Sequence, residues 1–190
     1  MLATELIKAW KCRKGLAKAL FHKKYVETLD VAMLEEEGIG AIVLDHDGVL
    51  GPNRSNGPDG QGEIFINKCL DVFGSGAVFV LSNTSSRKAV RIQVYGKHYP
   101  DVIYLVAKRK PDHDGLRIVS HHTSLPMEKI AVVDDGLMKG ITMAVECGAR
   151  PIYAIRLKME ESISAWIIRM ITTKPQLFIV RLFALFSNKP

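Results

Sequence analysis

Four groups of chemically capable residues punctuate this chain. Asp45 and Asp47 follow the apolar run Ala41-Ile42-Val43-Leu44. Ser82 and Asn83 follow Ala77-Val78-Phe79-Val80-Leu81. Lys110 comes shortly after the apolar stretch 102–107, and Asp134 and Asp135 follow Ile130-Ala131-Val132-Val133. Four carboxylates beside one lysine make a poor structural cluster unless a cation joins them. Hard oxygen donors favour Mg2+, which keeps waters and takes a few carboxylates together with a phosphate oxygen. The metal and Lys110 would neutralise an incoming phosphate. The Ser82 hydroxyl and the Asn83 amide would orient its oxygens, and a bound carboxylate would serve as nucleophile.

The elements that must position these groups follow from the same pattern. A continuous apolar run ending in polar residues reads as a parallel strand buried on both faces. Strands are expected at 41–44, 77–81, 102–107, 130–133 and 151–155. Helices are expected at 31–38, 62–73, 86–95, 116–122 and 137–147, with Gly148 as the cap of the last. Residues 51–62, rich in Gly, Pro and Asn, form a loop. This alternation specifies an α/β fold with an open, mostly parallel, five-stranded sheet and helices on both faces. Ligands bind such sheets beyond the carboxyl ends of the strands, so the four groups face one crevice.

At these residues the chain resembles the haloacid dehalogenase (HAD) superfamily of aspartate-nucleophile phosphatases, over about residues 36–156. The motif D-x-D-G-(T/V) after an apolar strand appears as Asp45-His46-Asp47-Gly48-Val49. The Ser or Thr closing the next strand appears as Ser82, followed by Asn83. The Lys often followed by Pro appears as Lys110-Pro111, and the acidic fourth motif as Asp134-Asp135. The resemblance implies a Rossmann-like HAD fold with Asp45 as nucleophile and metal ligand. It implies Asp47 as general acid and then general base, its backbone carbonyl also on Mg2+. Ser82, Asn83 and Lys110 would hold the phosphoryl group, and Asp135 would be the main metal ligand of the fourth motif with Asp134 assisting. A common form of that motif is G-D-x-x-x-x-D. Here Asp134 replaces the Gly, and Gly140 falls where the second Asp would be, which leaves Asp134 either direct or outer-shell.

The intervals 48–82 and 82–110 have no room for the cap domains many HAD enzymes carry, so the site should be open to a large or surface-bound substrate. The segment 25–40, the short intervals, Ser82-Asn83 and Lys110-Pro111 resemble the phosphatidylglycerophosphate phosphatase branch. That resemblance implies removal of the terminal phosphate to give phosphatidylglycerol. Two alternatives stand beside it: a soluble phosphatase for a sugar or nucleotide phosphate that uses its tail to dimerise, and a non-enzymatic phosphate-binding module.

Other motifs read as structural. His46 occupies a variable position and is expected to be a loop residue without a catalytic role. Asp-His-Asp-Gly recurs at 112–115, where Asp112 and Asp114 suit a helix N-terminus. His121 and His122 are expected at the surface, and Lys108-Arg109 as a solvated basic edge. The loop 51–62 lacks the G-x-x-x-x-G-K-(S/T) pattern of a P-loop. Cys12, Cys69 and Cys147 lie far apart, which argues against a disulfide framework or zinc site and for a reducing compartment. Cys69 and Cys147 are expected to be buried in core helices.

Charge divides the chain. Residues 1–25 carry seven Lys or Arg against Glu5, and residues 163–190 carry four with no acid. Residues 26–162 hold 15 basic and 19 acidic residues, so basic ends flank a mildly acidic body. The expected organisation is a basic amphipathic N-terminal helical segment (1–35), a catalytic core (36–156) and an apolar, basic helical tail (157–190). Residues 5–24 have helical periodicity without the h-region of a secretory signal; they read as a basic interfacial helix or as a solvated surface helix packed on the domain, with an organellar transit peptide a third reading. In the tail, Arg169, Lys174-Pro175 and Arg181 interrupt any run of the ~18–20 uncharged apolar residues needed to span a bilayer. Two short amphipathic helices at a membrane surface are expected there, with a tail packed on the domain or on a dimer partner as the alternative. The implied partner is an anionic phospholipid at a membrane touched by residues 1–24 and 163–186, with a cytoplasmic, peripheral location on the inner face. The basic ends lack the aromatic pattern of nucleic-acid binders.

Overall fold

The computed structural model describes residues 3–83, 87–105, 107–158 and 162–187. Its strands are β1 (Lys24–Tyr25), β2 (Ala41–Leu44), β3 (Val78–Val80), β4 (Ile103–Tyr104), β5 (Ile130–Asp134) and β6 (Arg150–Ile155). Its helices are α1 (Ala3–Lys11), α2 (Arg13–Phe21), α3 (Val31–Glu36), α4 (Gly60–Phe73), α5 (Lys88–His98), α6 (Asp114–Thr123), α7 (Thr142–Cys147) and α8 (Ile163–Ser187).

The strands form one open, all-parallel sheet in the order β1-β6-β5-β2-β3-β4. Alternate side chains of the central strands leave the sheet on opposite faces. Ile42, Leu44, Val78 and Val80 pack with Leu34 of α3, Phe65 and Ile66 of α4 and Tyr95 of α5. Ala41, Val43, Phe79 and Val132 pack with Leu116 and Val119 of α6 and Met143 of α7. Burial on both faces explains why these strands read as unbroken apolar runs. A third cluster joins Ala9 of α1, Cys12 between the two helices and Leu16 of α2 to Tyr153 and to Val180 of α8.

From β2 the chain moves outward through β3 to β4, then returns to the other side of β2 for β5 and β6. The order therefore reverses between β2 and β5, and a crevice opens at the carboxyl ends of such a pair. Leu44 lies beside Val133 in the register, and the Asp45 amide donates to the Val133 carbonyl at 2.9 Å. Asp45 and Asp134 are thus brought to one end of the sheet by adjacent strands.

Several expectations need correction. The sheet has six strands, not five, and is wholly parallel. The extra strand, β1, is two residues long, too short to carry a periodic signal, and pairs Lys24 with Ala154 and Tyr25 with Ile155 at the sheet edge. The helix expected over 5–24 is divided at Cys12 and ends at Phe21. The helix expected over 137–147 starts as a π-helical turn, Leu137–Ile141, before α7. The tail forms a single 25-residue helix with Pro175 inside it. Proline removes a donor and normally ends a helix, but burial of Gln176 and Val180 holds the chain in register beyond it. Gly148 caps α7 in the left-handed conformation, as the sequence indicates. Cys12 and Cys69 are buried and Cys147 is half-buried. Parts of two expected elements, Ser86 of a helix and Val106 of a strand, lie outside the described residues.

Candidate active site

Lys110 is the centre of the crevice. Its Nζ donates to Asp45 Oδ1 at 2.6 Å and to Asp134 Oδ2 at 2.5 Å. All three side chains are almost wholly enclosed. Lys110 lies beyond the short β4, so something other than the sheet must hold it. Asn83 does: its Oδ1 accepts from the Lys110 amide at 2.7 Å, and its Nδ2 donates to the Lys110 carbonyl at 3.2 Å. The Asn83 side chain, expected to hold phosphoryl oxygens, is occupied in positioning Lys110.

Carboxylate oxygens of Asp45, Asp134 and Asp135 lie within 4.8 Å of one another. Asp134 is fixed further by the Gly136 amide, which donates to its Oδ1 at 2.6 Å. Asp134 and Asp135 therefore share the cluster, Asp134 more deeply buried than the half-buried Asp135. Two glycines make room for them. A Cβ on Gly140 would lie 1.9 Å from Asp134 Oδ2, so this position leaves no room for a side chain. A Cβ on Gly48, whose φ is +95°, would lie 2.3 Å from Asp135 Oδ2.

The electrostatics show a shortage of positive charge. Burial works against the Lys110 ammonium, but Asp134 and Asp45 outweigh it and raise its pKa. Burial raises Asp45 well above the ordinary carboxylate range; Lys110 opposes this, while Asp134 and Asp135 add to it. Burial and the charge of Asp134 push Asp135 up to about 7. Three carboxylates facing one ammonium leave a site whose charge and oxygen donors fit a hard divalent cation.

Asp47 sits apart from this triad. Arg91 Nη2 donates to its Oδ1 at 2.7 Å and Arg91 Nη1 to its Oδ2 at 2.9 Å. The Ser82 hydroxyl donates to Asp47 Oδ2 at 3.1 Å and accepts from Arg91 Nη1 at 2.7 Å. The side chain of Asp47 is thus turned to Arg91; its expected contribution to the cation is through the backbone carbonyl. Arg91 is fully buried, and nothing in the sequence singled it out. The available signal was its spacing of four from Tyr95, which puts both on one face of α5.

His46 is enclosed rather than solvated. Ser55 Oγ donates to the Gly57 carbonyl at 2.9 Å and so accepts from His46 Nε2–H at 2.9 Å. That tautomer leaves His46 Nδ1 to accept from the Tyr95 hydroxyl at 2.8 Å. Burial, with the charge of Arg91, lowers its pKa to about 4. The ring stays neutral and pins the loop after β2, a structural role. Asp112 and Asp114 stand at the start of α6, where Asp112 Oδ1 accepts from the Asp114 amide at 3.0 Å. His121 and His122 are exposed at the end of that helix.

A groove of about 870 Å3 adjoins the cluster and shares Lys110 with it. Lys8, Arg109, Lys110 and Lys139 outnumber Glu5 and Asp112 in its lining, and Met138, Ile171 and Pro175 supply an apolar part. The charge of Lys139 reaches Asp135. Lys8 is tied to Glu146 at 3.1 Å; Arg109 and Lys139 make no ion pair among the described residues.

The site is thus three carboxylates and a lysine gathered where the strand order of a parallel sheet reverses. No family model, curated protein or solved structure matches the chain.

Proposed function

We propose that the chain is a Mg2+-dependent phosphomonoesterase of the HAD type that works through an aspartyl-phosphate on Asp45. The observation that carries this reading is the lysine bridge: Lys110 holds Asp45 and Asp134 from adjacent strand ends, beside Asp135. Asp45, Asp134 and Asp135 would hold the cation, with the Asp47 carbonyl. The cation would supply neutralisation of phosphate charge. Lys110 orients the Asp45 carboxylate and meets the phosphoryl oxygens. Ser82 stands beside Asp47, the acid that protonates the leaving oxygen and later takes a proton from the attacking water. Arg91 holds the Asp47 carboxylate before substrate arrives; to act as the acid, Asp47 would leave the guanidinium and take up a proton from water.

The substrate we propose is an anionic phospholipid bearing a terminal phosphate, of the phosphatidylglycerophosphate kind. The basic and apolar lining of the adjoining groove supports it, and a soluble sugar phosphate would leave the apolar wall unused.

Phosphate release from p-nitrophenyl phosphate tests the chemistry. It should require Mg2+ and fall about a thousandfold or more in Asp45→Asn. Mg2+ should raise the Tm of the wild type but not of Asp135→Asn. An Asp45→Asn protein as active as the wild type would end the proposal. A panel of phosphatidylglycerophosphate against soluble esters tests the substrate, and a preference for soluble esters would refute the lipid assignment.

A further inference from the structure

The tail helix has two apolar sides, and only one is used. Gln176 and Val180 of α8 are buried, and this side packs on α2. Ile163, Ile167, Ile171, Phe178, Leu182 and Leu185 fall on the opposite side, within about 100° of the helix circumference. All are exposed, Phe178 by 70% and Leu185 by 69%. Ordinary surface helices turn charged residues to water; this one turns large apolar ones. The patch continues onto α1, where the half-exposed Trp10 packs edge-on to Phe183 with ring centroids 5.1 Å apart. No helix among the described residues is long and apolar enough to cross a membrane.

Charge indicates what covers this face. Lys174 and Arg181 lie at the edge of the same exposed arc, and α8 contains no acidic residue. Lys11, Arg13 and Lys14 stand beside Trp10, the Arg13 guanidinium 4.8 Å from its ring centroid. Two apposed α8 helices would set cations against cations with no acid on either helix to answer them. An anionic bilayer satisfies both features: acyl chains take the apolar arc while lysine and arginine stems reach the headgroups. Tryptophan suits that boundary, and Trp166 is half-exposed on the flank of the arc.

We infer that the outer face of α8, extended by Ile7 and Trp10 of α1, lies in the plane of an anionic lipid surface. Ile171 belongs both to this face and to the groove beside Lys110. Docking therefore sets the mouth of the groove at headgroup level. That consequence for catalysis rests on the phosphatase reading; the docking does not.

The test is sedimentation of the full chain with phosphatidylcholine vesicles, with and without phosphatidylglycerol. Binding is expected only with the anionic lipid and should weaken with salt. Phe178→Ser with Leu182→Ser should lower the partition coefficient at least about tenfold, as should Lys174→Glu with Arg181→Glu. Ile64→Ser, an equally exposed apolar site on α4, should leave it unchanged. Circular dichroism and p-nitrophenyl phosphate hydrolysis on the same variants separate docking from folding and from catalysis. If anionic vesicles leave the chain in the supernatant, or neutral vesicles bind it equally, the inference is overturned. It is equally overturned if light scattering shows a dimer that the Phe178 and Leu182 changes dissociate while lipid binding persists.

Discussion

Arg91 and Asp47 face each other fork to fork, each terminal nitrogen of the guanidinium on a different carboxylate oxygen, at 2.7 and 2.9 Å. The arginine is wholly buried, and its Nε and Nη2 also donate to the Ser55 carbonyl, at 3.0 and 2.8 Å. One side chain on α5 thus fixes both the carboxylate after β2 and the loop that follows it.

Removing the guanidinium leaves a carboxylate without its counter-charge. Arg91→Met should destabilise the fold by about 3–5 kcal/mol, the usual cost of breaking a buried pair from one side. Arg91→Lys keeps the charge but cannot span both oxygens, and should recover part of the loss. Urea denaturation of both variants checks this. A further readout is leaving-group dependence. Because Asp47 is the proposed proton donor, Arg91→Lys should lose more rate on an alkyl phosphate than on p-nitrophenyl phosphate, whose leaving group needs little protonation.

His46 gives the fold an acid-sensitive point. Its folded pKa, about 4, lies below the ordinary value of 6.5. A depressed pKa means that its stabilisation is fully present above about 6.5 and is lost as the pH falls through 4. The shift corresponds to about 3 kcal/mol. Denaturation midpoints measured across that window should fall by about this much more in the wild type than in His46→Gln. Parallel curves for the two proteins would contradict the assignment.

Gly140→Ala should disable the cluster without a change in charge. The new methyl would meet Asp134 Oδ2 at 1.9 Å, and one of the two must move. A cost of about 1–3 kcal/mol is expected for such overpacking, with loss of Mg2+-dependent phosphate release. Gly60→Ala, where nothing lies within 4 Å, is the control and should behave as wild type. Thermal melts and the p-nitrophenyl phosphate assay read both effects.

Much of the site is legible in the sequence because strand ends are. Apolar runs mark β2, β3 and β5; Asp45 and Asp134, which close the first and last, come together as their positions require, and Ser82, after the second, meets Asp47. Lys110 is legible by type and order, although the Asn83 clamp that places it is not. Its two hydrogen bonds to backbone are a property of loop geometry, which side-chain chemistry alone does not reveal. Arg91 escapes notice because a buried arginine and a solvated one look alike in a helix that also carries Lys88 and Lys97. The two-residue β1 is too short for periodicity, and the continuity of α8 through Pro175 depends on contacts with α2 that no local rule contains.

The β2–β5 pairing has a consequence for assembly. Asp45 and Asp134 meet only when a segment near the start of the sheet recruits one that is synthesised long after it, across the intervening β3 and β4. Until that late partner arrives, Asp45 has neither Asp134 nor Asp135 beside it, and an ion finds no cradle. On the proposed reading, ion capture would therefore be a reward for completed folding rather than a seed for it. Refolding kinetics should be indifferent to magnesium, while unfolding should slow in its presence.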